Sequence, residues 1–151
     1  MLKEKIKTDF KEALKSGNVQ KRLVLSLVLS AVKSRELEKR SKLSKTEADA
    51  AKLEEQSKLT EEEIIEALSS EIKKRKESVD QYEKGGREEL AQKEKEELII
   101  LMNYMPKQMS EEEIGAEVDN TVSQLGASGP KDIGKVIGIV MAKVKGRADG
   151  Q

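Results

Sequence analysis

Apolar residues recur along this chain at spacings of three and four, the period of one helix face. Leu2, Ile6, Phe10, Ala13 and Leu14 mark a first helix. "SGN" ends it: Gly17 suits a left-handed cap and Asn18 suits the start of a second helix. Between residues 23 and 32 only Ser26 and Ser30 are not apolar. The second helix is thus apolar nearly all round and is expected in the middle of a bundle. Residues 41–58 hold no persistent apolar face and read as a polar connection, helical in pieces. "TEEE" then forms a capping box, Thr60 bonding forward and Glu63 back. Ile64, Ile65, Leu68, Ile72, Val79 and Tyr82 give one face of a long helix that Gly85 and Gly86 end. A further helix runs from about Arg87 to Tyr104, closed by Pro106 because proline disfavours helix in the residue before it.

A second capping box stands at Ser110 and Glu113, followed by Ile114, Val118, Val122 and Leu125 at helical spacing and a stop at Gly126. Pro130 suits the first turn of a last helix. Its apolar positions are Ile133, Val136, Ile137, Val140, Met141 and Val144. Gly134 and Gly138 interrupt that pattern, each at a cost of about 1 kcal/mol relative to Ala. Two explanations stand: close packing against a neighbouring helix, most simply the one beginning near Ser110, or close approach of backbone to a bulky partner such as a phosphate chain. No strand pattern, internal repeat or heptad run occurs. The expected fold is all-α, with an N-terminal helical bundle over residues 1–105 and a small C-terminal helical module over 107–151.

Composition narrows the chemistry. The 151 residues include 29 Lys and Arg, 29 Asp and Glu, no His and no Cys. Disulfides, thiolate nucleophiles, imidazole bases and the usual zinc ligands are excluded, and no metal or cofactor is expected. The longest apolar-rich run is about half of what spans a bilayer, and the N-terminus has no apolar core of signal-peptide length. The chain is therefore expected to be soluble and cytoplasmic. Net charge is zero, so the whole protein is no cationic funnel. Locally the balance shifts: residues 111–129 carry acids and no base, whereas 130–151 carry Lys131, Lys135, Lys143, Lys145 and Arg147 against Asp132 and Asp149.

Three features bear on binding. "KGRADG" sets Lys145 and Arg147 beside Gly146 and Gly150; it suits phosphate contact, or equally an ordinary cationic helix end. Gly85, Gly86 and Arg87 suggest an anion-binding corner at a helix start. The run Lys73, Lys74, Arg75, Lys76 points around its helix and reads as a solvated face laced with ion pairs. Ser30 with Lys33 and Ser70 with Lys73 match serine–lysine spacing, which a lysine-rich helical protein produces by chance. The aromatics Phe10, Tyr82 and Tyr104 are too few for a base-stacking platform. RNA binding, if present, would read folded shape and phosphates.

Residues 78–114, "SVDQYEKGGREELAQKEKEELIILMNYMPKQMSEEEI", and the segment "GPKDIGKVIGIVMAKVKGRADG" together resemble the YqeY-like family. The first carries "QY", "GR", "LA", "KE" and "YMPKQMSEEEI" in order; the second carries "GKVIG" and "KGRADG". The likeness extends to "LVLSAVKSRELE" at residues 27–38 and covers nearly the whole chain apart from residues 41–58. The family is similar to the C-terminal tail of the GatB chain of the tRNA-dependent Asp/Glu-tRNA amidotransferase, a carbon–nitrogen ligase with glutamine as amido donor. In that enzyme the tail contacts tRNA and the chemistry lies in other domains. The resemblance implies a tRNA-binding or amidotransferase-associated module without catalytic residues of its own. Its partners would be tRNA and proteins of aminoacyl-tRNA synthesis, and its candidate contacts Lys135, Lys143, Lys145, Gly146 and Arg147. The alternatives are a protein-interaction adaptor without RNA and, least favoured because His and Cys are absent, a small enzyme acting on an aminoacyl-tRNA amide or ester bond. The family usually continues beyond "RADG" into a further short helix, and a chain shortened there is expected to have a less stable C-terminal module.

Overall fold

The computed structural model describes residues 1–148. The chain divides into two compact units, Met1–Tyr104 and Met105–Gln151. The fold is all-α: among the described residues there is no strand.

The first unit holds α1 (Leu2–Lys15), α2 (Val19–Leu43), α3 (Ala50–Ser57), α4 (Glu61–Lys84) and α5 (Glu88–Met102). Gly17, at φ +71°, reverses the chain after α1 in a conformation that residues with a Cβ avoid. The Asn18 side chain then accepts the Lys21 N–H and starts α2. α2 packs against α1, α3, α4 and α5 and is the central element. It buries Val24, Leu25, Val28 and Val32. Leu23 and Leu27, however, remain 48% and 53% exposed, so the helix is not enclosed on all sides. Those two lie one turn apart with Val19, on a stripe that the other helices of this unit leave open.

Residues 41–58 are helical in pieces, as expected. α2 continues to Leu43, and the Asp49 carboxylate accepts the Ala51 and Lys52 N–H groups to cap α3. α3 is anchored by one buried apolar residue, Leu53. The α4 capping box forms in both directions, Glu63 N–H to Thr60 Oγ1 at 3.2 Å and Thr60 N–H to the Glu63 carboxylate at 2.7 Å. Lys39 of α2 reaches the same carboxylate at 2.8 Å, which ties the cap to the core helix. Within the basic run only Arg75 turns inward, bonding Glu94 at 3.3 Å and Glu97 at 3.0 Å on α5; Lys73, Lys74 and Lys76 stay exposed. Ser70 is equally occupied, donating to the Glu66 carbonyl and accepting from Arg35. Tyr104 ends the unit as a buried residue, its hydroxyl donating to the Asp9 carboxylate and Lys5 lying over its ring. Burial and the Asp9 bond push that hydroxyl above its ordinary pKa.

The second unit is α6 (Glu111–Leu125), a 3-10 turn at Pro130–Asp132 and α7 (Ile133–Lys143). Ser110 and Glu113 make the capping box, and Gly126, at φ +59°, stops α6. Val136, Val140 and Val144 form the core, with Met109, Val118, Val122, Ala127 and Ala148 packed against it. Beyond α7 the chain turns at Gly146 and is clasped to the beginning of the unit. Met109 N–H donates to the Arg147 carbonyl at 2.7 Å and Gln108 Nε2 to the Gly146 carbonyl at 2.9 Å.

Candidate nucleic-acid interface

The valines that bind α7 to the core decide what its other side shows. At about 100° per residue, Val136 and Val140 put Gly134, Gly138 and Ala142 on the opposite side. All three are exposed. A Cβ at Gly134 or Gly138 would meet nothing within 4 Å. Close packing is therefore not what these glycines do within this unit. α7 lies on α6 through its valine side, and the glycine side is left bare. Lys131 and Lys135 stand exposed along this bare strip, and Lys145, also exposed, follows in the turn. Ile133, Ile137 and Met141 flank it on the other side. Residues 133–148 contain no acid. The strip is thus a shallow, small-residue track bordered by cations.

Lys143 is not part of it. Its ammonium bonds Glu117 of α6 at 2.7 Å and lies 3.4 Å from Thr121 Oγ1. That bond holds the Glu117 carboxyl below its ordinary pKa. The opposed charges of α6 and α7 thus meet in this pair, and Lys143 serves the helix packing. Gly146, at φ +73°, makes the turn, and its carbonyl is taken by Gln108. The exposed Arg147 side chain donates from Nε to the Lys107 carbonyl at 3.5 Å. Asp149 and Gly150 of the cationic loop lie outside the described residues. Lys131 and Ala142, which share the strip, were not among the candidate contacts. The spacing 131–135 and 134–138–142 was present, but nothing in it showed which side of the helix would face the core.

The corner at Gly85, Gly86 and Arg87 is not an anion site built on those backbone donors. All three N–H groups are taken by carbonyls of α4, those of Gln81, Glu83 and Tyr82. The adjoining surface is lined by Glu83, Glu88, Glu89 and Lys95; Lys95 is held by Glu83 at 2.6 Å, and the surface stays net acidic. Among the described residues no group of His, Cys, Asp or Glu is placed to hold a metal ion, and no helix is long and apolar enough to cross a membrane.

The bare strip makes a direct prediction. Glycine in an exposed helix interior is less favourable than alanine by about 0.5–1 kcal/mol. Since each new Cβ enters open space, Gly134→Ala and Gly138→Ala should each stabilise the C-terminal unit by about that amount. Hydrogen exchange of the α7 amides measures it; slower exchange is expected, and faster exchange would mean the glycines are packed after all.

The sequence matches the family described as Yqey-like protein over residues 3–151. It is also similar to Altered inheritance of mitochondria protein 41, mitochondrial, of Lachancea thermotolerans, at 27% identity over 127 residues and 83% of this chain. The chain spans 60% of that relative's length. An all-α chain matched to one family from its third residue to its last is a member of it: this protein belongs to the YqeY-like family.

Proposed function

We propose that this protein is a non-catalytic accessory module that meets the phosphate backbone of folded tRNA along the outward face of α7, acting with or beside the tRNA-dependent amidotransferase. One observation carries the reading: two helix-weakening glycines that support no packing in their own unit lie on an acid-free strip among exposed lysines. Bare backbone lets a sugar–phosphate chain come closer than a side chain would permit, and Lys131, Lys135 and Lys145 neutralise it. The family resemblance to an amidotransferase tail supplies the tRNA. The exposed Ile133, Ile137 and Met141 favour the adaptor as second reading, with a protein covering the same strip.

Fluorescence anisotropy with bulk tRNA at about 50 and about 200 mM salt separates the two. Binding is expected to weaken steeply between those concentrations and to exceed binding to double-stranded DNA. Gly138→Gln keeps the net charge and a good helix former but fills the track, and should weaken binding roughly tenfold. Lys131→Ala with Lys135→Ala should lower the salt slope by about one for each phosphate that is no longer neutralised. Undiminished binding by Gly138→Gln would remove α7 from the interface. No tRNA binding at the lower salt sinks the tRNA reading and leaves the adaptor.

A further inference from the structure

The N-terminal unit contains a cavity of 180 Å³ between α1, α2 and α3. By the volume of liquid water it holds about six molecules, which suits a small charged group better than a drug-sized ligand. Four cations line it: Lys3 from α1, Lys33 and Arg40 from α2, and Lys58 from the end of α3. Two carboxylates also line it, Glu36 and Glu54.

The two carboxylates differ in how far they are engaged. Glu36 is buried, and its Oε1 is taken by Lys3 Nζ at 2.5 Å and by the Leu59 N–H at 3.3 Å. It is a fastening between α1, α2 and the connection into α4, and it holds Lys3 at the cavity wall. Lys58 is partnered by Glu55. Lys33 and Arg40 have no hydrogen-bond or ion-pair partner among the described residues. They lie seven residues apart, two turns of α2, and both border the same cavity. An unpaired guanidinium and an unpaired ammonium beside one small polar space favour an anion. Lys3 and Lys58 are each held by a carboxylate, so Lys33 and Arg40 remain for the anion, and two cations suit a doubly charged one.

We propose that this cavity binds the phosphate of a small phosphomonoester or of inorganic phosphate, with Arg40 and Lys33 as its principal contacts. A monoester carries about two negative charges at neutral pH, matching Lys33 and Arg40, whereas a diester carries one. Arg40 offers two parallel N–H donors to two phosphate oxygens, and Lys33 acts as a point charge from two turns away on the same helix. Lys3 and Lys58 add to the field without giving up their carboxylates. The site lies in a different unit from α7 and does not depend on the tRNA reading.

The probes are inorganic phosphate, AMP and cyclic AMP, the last two sharing base and sugar but differing in phosphate charge. Titration of the full chain followed by amide NMR, with chloride at matched ionic strength as the blank, should show saturable shifts for inorganic phosphate and AMP at the Leu59 amide and along α2. Cyclic AMP should bind roughly tenfold more weakly or worse. Lys33→Gln with Arg40→Gln should weaken AMP binding by roughly tenfold or more, as expected for the loss of charge-assisted bonds. Both residues are exposed on α2, so an unchanged far-ultraviolet spectrum and melting temperature are expected for that variant. The proposal is overturned if phosphate at about 10 mM gives no more than the chloride blank, if AMP and cyclic AMP bind equally, or if the double variant binds AMP as the parent does.

Discussion

Val140→Ala is expected to remove most of the stability of the C-terminal unit while leaving α4 fully protected. Val140 is 7% exposed and is the middle member of a core that has, among the described residues, three buried apolar residues. Its truncation forfeits about 0.8 kcal/mol per methylene-sized group, plus a cavity that few neighbours can close, for about 2–3 kcal/mol in total. A unit of fewer than about 50 residues seldom has more than about 3–5 kcal/mol to lose. Hydrogen exchange should therefore quicken roughly 30- to 150-fold across α6 and α7 and stay unchanged at Ile64, Leu68 and Ile72 of α4. Ile137→Ala provides the contrast: its side chain is 55% exposed, and its removal should change stability by no more than about 0.5 kcal/mol. Protection of α7 within about threefold of the parent in Val140→Ala would show that the valines are not what holds the unit.

The second large effect belongs to Glu36. Its replacement by Ala strands Lys3, whose side chain is only 24% exposed, and deprives the Leu59 N–H of its acceptor. Breaking a fully buried pair costs about 3–5 kcal/mol; Lys3 can turn partly toward water, so about 2 kcal/mol is expected here. The pH dependence gives the sign. Burial pushes the Glu36 carboxyl up, but Lys3, the Leu59 N–H and the charge of Lys33 together hold it below the ordinary 4.5. A carboxyl held lower in the folded chain than in the unfolded one stabilises the fold above its unfolded value. That contribution disappears as pH falls through the folded value. Urea unfolding of the parent and Glu36→Ala should thus differ most from about pH 6 upward and converge in acid. A gap that stays constant or widens in acid would mean that Glu36 does not act as an anion.

What the sequence revealed depended on how local each cause was. The caps were legible because they act over three residues: Asn18, Thr60 with Glu63, Ser110 with Glu113, and Gly126 all do what their chemistry suggests. The all-α fold followed from the period of the apolar positions. The surroundings of α2 did not, because Leu23 and Val24 are equally apolar and only the placement of four other helices distinguishes them. α3 was expected only as an unplaced helical piece, because a single Leu53 has no period. On α7 the glycines were visible, but their role turned on what faced them, and that was set by Val136 and Val140. Lys143 looked like its fellow cations until Glu117, 26 residues earlier, claimed it. The lining of the α1–α2–α3 cavity was least legible of all. Lys3, Lys33, Arg40 and Lys58 come from three helices and carry no mark that separates them from the other lysines and arginines.

The clasp between residues 107–109 and 146–147 has a mechanical consequence. Tension entering the C-terminal unit along the chain from Tyr104 arrives at Lys107, Gln108 and Met109. From there the hydrogen bonds to Gly146 and Arg147 pass it straight into the foot of α7. A pull on the chain at Tyr104 against anything gripping the outward strip of α7 then passes through the clasp. α6 lies off that load path, whereas Met109 and Val144 of the valine core flank the clasp and share its load.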